Sequence, residues 1–353
     1  MERLRKITLI ILLGILGCGY GSESSQNETN GDSHGSSTHN FEEVAPGVYL
    51  ATGKGPVNVG SNAMVVVNEN DVVLVDSHIT PDAARELIKS VKTLTDKPIH
   101  YLVNTHFHHD HAHGNQVFPE GVEIIGHEYT RERLLGDVLA ESTFVTIAGP
   151  QYEQTQIAML EKQVAEAEGD QKTSLESQLA TLKRHTAALS ELAPIPPNTT
   201  LKRKLTLYRG EREIQIHHLG KGHTGGDVIV FLPTERVIFT GDLLPATAPY
   251  LGDSWPEEFI ETLEKLRSLD FATILPGHGP VIRDLSHIDF TQNYLRKYWG
   301  SVKSSHAKGL SIDEATAQFD MSGYENYAPF QLGRPEARRL EVVRMYQLLD
   351  GED

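Results

Sequence analysis

The sequence predicts an α/β protein built on two sheets or half-sheets. Three observations carry this expectation. Apolar segments with strand texture arrive in two batches, interleaved with helical patterns. A stretch of purely helical composition separates the batches. Residues of acidic and metal-binding type stand repeatedly just past strand ends, the edge at which open α/β folds place their sites.

The chain opens with "MERLRK", a basic run, and "ITLIILLGIL", an apolar run of signal-peptide length. That run is too short for an ordinary spanning helix. It ends at "ILGC", where Cys18 is the sole cysteine, so no disulfide forms within the chain. The tetrapeptide resembles a bacterial lipobox, with Ile15 where Leu is commoner. This implies a lipoprotein-type signal peptide over residues 1–18 and lipidation of Cys18. The expected location is the bacterial cell envelope, with a lipid anchor on the periplasmic or outer surface. Residues 19–40, rich in Gly, Ser, Asn and Thr, read as a flexible linker. The linker contains "GDSHG", which fits the G-x-S-x-G esterase pattern but lacks the flanking strand and helix that pattern needs.

From Phe41 the texture is globular. "GVYLAT" and "NAMVVVN" read as strands, and "DVVLVD" as a buried one ending at Asp76. A helix follows over "TPDAARELIKSVKTL", with Thr80 as N-cap, Pro81 at its first position and an apolar stripe at Ala84, Leu87, Ile88 and Val91. "IHYLVN" and "VEIIG" are the next strands. Residues 151–193 keep helical spacing at Ile157, Leu160, Val164 and again at Leu175, Leu179, Leu182, on either side of "EGDQ". They read as an inserted helical hairpin. Surface decoration, a wall over the site and a homodimer contact are all compatible with it. Strands resume with "LTLYRG", "REIQIHHLG", "DVIVFLP" and "RVIFTGD", and the helix "PEEFIETLEKLRSL" leads into "TILPGHGP". Residues 286–353 form a C-terminal helical extension. It has a capping box at Ser311–Glu314 and, after Pro335, a stripe of Leu340, Val343 and Leu348 expected to pack on the core.

The formal charge of −16 argues against nucleic acid, which recruits basic faces. The densest chemistry lies in "THFHHDHAHGN", residues 105–115. His106, His108, Asp110 and His111 form H-x-H-x-D-H directly after a buried strand. Neutral imidazole is a common zinc ligand and carboxylate oxygen also serves. A core histidine is usually single, and a metal-buffering tract lies in low-complexity sequence. Distant turns supply more candidates: His223 in "GKGHTGGD", Asp242 in "FTGDLL" and His278 in "LPGHGP". Together these residues would fill two metal sites with one bridging carboxylate.

In their order, "VDS" at Asp76, "THFHHDH", "GHTGGD", "TGD" and "PGHG" resemble the metallo-β-lactamase superfamily. The resemblance covers roughly residues 41–285. It implies a four-layer αβ/βα sandwich with the site at one edge of two packed sheets. It implies that His106, His108 and His223 bind a first zinc ion, that Asp110, His111 and His278 bind a second, and that Asp242 bridges both. Asp76 would orient ligands from behind. The implied reaction is hydrolysis by a metal-bridging hydroxide, with Asp110 as the catalytic residue that orients the nucleophile and moves a proton. The substrate would be a small ester, thioester, lactone or lactam. Asp242 stands where the class B1 and B2 β-lactamases carry cysteine, and an Asp bridge is shared with glyoxalase II and the lactonases. His113 replaces the usual small residue, which leaves it free near the mouth as a candidate substrate contact. Tyr250, on the loop after the Asp242 strand, is the other candidate. His109 is expected to face away, and one of His217 and His218 to approach the site. Two alternatives stay open: an iron-dependent sulfur dioxygenase of the same superfamily, and a non-catalytic zinc-binding lipoprotein.

Overall fold

The computed structural model describes residues 38–318, 321–324 and 335–352. Cys18 and the signal-peptide segment lie outside the described residues. Seven strands form the first sheet in chain order: β1 (His39–Ala45), β2 (Val48–Gly53), β3 (Ala63–Val67), β4 (Val72–Val75), β5 (Ile99–Val103), β6 (Glu123–His127) and β7 (Thr199–Leu201). The first four run antiparallel, and β4 to β7 run parallel. The second sheet holds β8 (Lys204–Arg209), β9 (Arg212–His217), β10 (Ile229–Leu232), β11 (Val237–Gly241) and β12 (Thr273–Pro276), in the order β12-β11-β10-β9-β8. Gly210, at φ 66°, makes the tight β8–β9 turn.

Alternation of side chains decides the layers. Met64, Val66, Val73 and Val75 face inward and pack in one core with Ile214, Ile216, Val230 and Phe239 of the second sheet. Val65, Val72 and Leu74 face outward to helix α1 (Pro81–Val91) through Leu87 and Val91. Thr80 caps α1 as expected, accepting from the Ala83 amide at 3.2 Å. On the other side Ile229 and Phe231 of β10 turn away from the first sheet. They meet Phe259 and Leu263 of α7 (Pro256–Arg267) and Tyr294 and Leu295 of α8 (Ser286–Ala307). The result is the expected helix–sheet–sheet–helix sandwich.

The cluster after β5 contains a one-turn helix, α2 (His109–Ala112). Between β6 and β7 lie α3 (Glu128–Leu135), α4 (Ser142–Ile147), α5 (Pro150–Glu166) and α6 (Gly169–Leu189). The last two are the expected hairpin, zipped by Ile157, Leu160 and Leu182. Arg184 of α6 holds Asp82 of α1 at 2.7 Å, so the hairpin lies against the α1 layer. After α8 come α9 (Ile312–Ala317), opened by the Ser311–Glu314 capping box, and α10 (Pro335–Asp350).

Two expectations need correction. The strand β1 begins at His39, inside the segment read as linker. Its composition resembles a tether, yet His39 is fully buried, stacks on His78 at 5.2 Å and lies 2.9 Å from Ser90 Oγ. The buried face of α10 is Ala337, Glu341, Val342 and Met345; Leu348 packs on the core at its margin as expected, whereas Leu340 and Val343 are only partly covered. That face is chosen by packing against α9, α4 and α8, which the stripe alone does not reveal.

Candidate metal centre

Four strand ends converge at one edge of the sandwich. Asp76 follows β4, His106 to His111 follow β5, Asp242 follows β11 and His278 follows β12. Main-chain bonds lock these turns: Asp76 N–H to Val103 oxygen at 2.8 Å, Val228 N–H to Thr105 oxygen at 2.9 Å, Gly277 N–H to Gly241 oxygen at 2.9 Å. Gly277 must lack a side chain, because a Cβ there would stand 2.3 Å from Asp242 Oδ1.

Asp76 and His78 adopt φ angles of 64° and 66°. Such strain costs on the order of 1–3 kcal/mol per residue and collects at functional sites. At Asp76 it aims a fully buried carboxylate at three donors: the Thr105 amide (2.8 Å), the Thr105 hydroxyl (2.8 Å) and His111 Nδ1 (2.7 Å).

Each of four histidines has one ring nitrogen committed. His106 Nδ1 donates to Thr105 Oγ1 (3.0 Å), whose own proton goes to Asp76. His108 Nε2 donates to Asp253 Oδ2 (3.1 Å), His111 Nδ1 to Asp76, and His223 Nδ1 to the main-chain oxygen of Tyr250 (2.9 Å). In the neutral ring that a metal ion requires, the other nitrogen of each would be a lone pair. Among the described residues His106 Nε2 is buried with no hydrogen-bond partner, and His111 Nε2 faces Asp242 Oδ1 at 3.4 Å. His108 Nδ1 and His223 Nε2 face each other at 2.9 Å. With both rings neutral these are two lone pairs, and two lone pairs at that separation call for a cation between them. The donor atoms gather into three groups, each within 4.8 Å: His106–His108–His223, His106–His111–Asp242 and Asp110–His111–His278. The residues therefore fit a pair of borderline-soft divalent ions.

Protein electrostatics agree. Burial alone would raise Asp110 and Asp242, but the imidazoles around them, His111 and His278 among them, hold both well below the usual carboxylate range. Against desolvation, Asp242 and Asp110 push His278 up to about 10 and carry His111 well above an ordinary imidazole. His278 Nε2 lies 3.1 Å from Asp110 Oδ2 and 3.2 Å from Asp242 Oδ2. Burial lowers His106 and His223, the latter to about 3, which keeps both as neutral ligands. With its side chain 29% exposed, His278 marks the open side of the centre.

The structure thus brings together His106, His108, Asp110, His111, His223, Asp242 and His278, with Asp76 behind them. It does not put His113 at the mouth. That ring is fully buried between His109 (6.2 Å) and Phe144 (5.4 Å), because α2 winds it inward. Tyr250 is also buried, with its hydroxyl 3.1 Å from Thr143 Oγ1. Both side chains face protein. His109 packs on Phe144, His217 bonds Gln215, and His218 stacks on His127; none belongs to the donor groups. Sequence reasoning missed Asp253, which binds His108 and, at 2.6 Å, Thr143. Burial would raise it, yet His108 and Thr143 hold it to about 2. Its only signal was a place on the loop that follows Asp242.

Comparison with known proteins follows the same lines. Residues 57–278 match the sequence model of the metallo-beta-lactamase superfamily. A linear primary-alkylsulfatase of Pseudomonas sp. is 23% identical over 274 residues, 73% of this chain and 50% of that protein. A metallo-beta-lactamase type 2 of Bacillus sp. is 24% identical over 253 residues, 69% of this chain and 77% of that protein. The solved structure of a stereoselective inverting sec-alkylsulfatase from Pseudomonas sp. matches with a TM-score of 0.63 at 15% identity, covering 87% of this chain and 50% of that one. The chain spans about half the length of these alkylsulfatases.

Proposed function

The chain belongs to the metallo-β-lactamase superfamily, and from that membership we propose that it is a dinuclear zinc hydrolase. Its substrate is a small ester, thioester, lactone or lactam. The observation that carries this reading is the set of inward-facing ring nitrogens of His106, His108, His111 and His223, closed by Asp110, Asp242 and His278. His106, His108 and His223 would hold one ion, Asp110, His111 and His278 the other, and Asp242 both. Bound there, zinc would supply Lewis acidity and water of lowered pKa. Asp110, at the open side beside His278, orients the attacking group and takes or returns its proton. Asp76 and Asp253 hold His111 and His108 in the tautomers that binding requires.

Among esters, sulfate esters are the first to test. The likeness to the sec-alkylsulfatase covers 87% of this chain, more than the 57–278 span of the family match. The basic and apolar run ending at Cys18 supports a lipid-anchored place on the bacterial cell envelope.

The test is Asp110→Asn in zinc-loaded protein, assayed against aryl sulfate, aryl ester, lactone and lactam substrates. Turnover should fall at least about 100-fold, with the fold retained by circular dichroism. A wild-type rate in the variant overturns the assignment.

A further inference from the structure

We propose that Glu341 is a positioning residue for the ligands His108 and His223, acting through the loop 250–255. The proposal rests on the reading of those histidines as metal ligands. Helix α10 presents Ala337, Glu341 and Arg344 at i, i+4 and i+7, on one face. Glu341 is fully buried, and a charge in that position carries a desolvation penalty. Its Oε1 accepts the Leu251 N–H at 3.1 Å, and its Oε2 accepts the Tyr298 hydroxyl of α8 at 2.5 Å. A costly carboxylate that pins one loop amide calls for a reason in what the loop does.

The loop reaches the ligand group at several points. The main-chain oxygen of Tyr250, one residue before Leu251, accepts from His223 Nδ1 at 2.9 Å. Asp253 Oδ2 accepts from His108 Nε2 at 3.1 Å. Ser254 Oγ and the Trp255 N–H both donate to Gly222 oxygen, at 2.7 and 3.0 Å, which fixes the turn bearing His223. The same face of α10 grips the rest of the loop. Arg344 Nε donates to Ser254 oxygen at 3.3 Å, its guanidinium lies 4.4 Å over the Trp255 ring, and Ala337 packs with Tyr250 and Ile147. The loop therefore sets tautomer and ring direction for two ligands whose lone pairs meet at 2.9 Å, and α10 sets the loop. Glu341 lies beyond residue 278, where the family match ends, so this device belongs to the C-terminal extension.

The experiment is a chelator-competition titration of zinc into full-length wild type, Glu341→Ala and Glu341→Gln, with cobalt absorption spectra in parallel. Wild type should bind two equivalents. In the alanine variant one equivalent should weaken about 10–100-fold while the other stays as in wild type. The cobalt spectrum should change with the weakened equivalent, and glutamine, which keeps an acceptor for Leu251, should restore most of the affinity. Unchanged affinity overturns the proposal. So does equal weakening of both equivalents with a lowered melting temperature of the metal-free protein, the mark of a merely structural role. Should the alanine variant not fold, wild type alone decides. Coupling is reciprocal, so zinc must slow hydrogen exchange at the Leu251 amide. Equal exchange with zinc and with chelator overturns the proposal. A wild type that binds no zinc removes the metal reading itself, and the proposal with it.

Discussion

Asp76 shows how much of a candidate metal centre one residue can organise. Its carboxylate holds Thr105 twice and His111 once, and Thr105 in turn orients His106. Asp76→Asn replaces one acceptor oxygen with an amide that can only donate. Either His111 or Thr105 then loses its partner, and a buried donor left unpaired costs about 1–3 kcal/mol. Zinc affinity should fall about 10–100-fold, measured by chelator competition, with the fold retained by circular dichroism. Affinity equal to wild type would remove Asp76 from the account. At this scale the sequence is legible where ligands cluster. His106, His108, Asp110 and His111 share one turn after a buried strand, and backbone geometry alone brings them together. Asp253 and Glu341 are not legible, because each is a lone carboxylate whose partner is chosen by tertiary packing. His113 was placed at the mouth because spacing does not reveal which way α2 winds.

The elements show the same division. The strands and the α1 cap follow from local pattern. The α5–α6 hairpin was readable as two helices, but not its seat. It docks on α1 through Arg184–Asp82, and the adjoining α4 walls the centre with Phe144 against His109 and Thr143 against Asp253. The start of β1 was hidden because His39 is held by its stack on His78 rather than by any apolar run. The hairpin also carries a pH signature. Burial lowers His185 to about 4, with Glu153 3.7 Å away. The unfolded chain binds this proton near pH 6.5, so unfolding takes up a proton between those values. Stability from His185 is therefore complete above about pH 6.5 and declines as pH falls towards 4, by at most about 1.4 kcal/mol per pH unit. His185→Leu should flatten the fall in melting temperature between pH 7 and pH 4.5. A variant with the wild-type slope contradicts this.

For the whole molecule, the sandwich serves one edge. The inter-sheet core of Val66, Val75, Val230 and Phe239 fixes the distance between the sheets, and hence between His106 and Asp242 at their ends. The helices outside the second sheet extend that scaffold past the family match, through α8 and α10 to the loop behind His223. Fold class and the seven ligand candidates were legible because strand ends and metal-type residues coincide in the chain. The substrate was not, since residue spacing says nothing of the shape of the loops around this edge. Metal analysis of the purified chain decides whether this edge holds two zinc ions for hydrolysis. The expected result is two zinc ions per chain, both removed by chelator together with activity on an ester or sulfate-ester substrate, and both restored by zinc. One iron per chain, with no zinc and no zinc-restored hydrolysis, would contradict it.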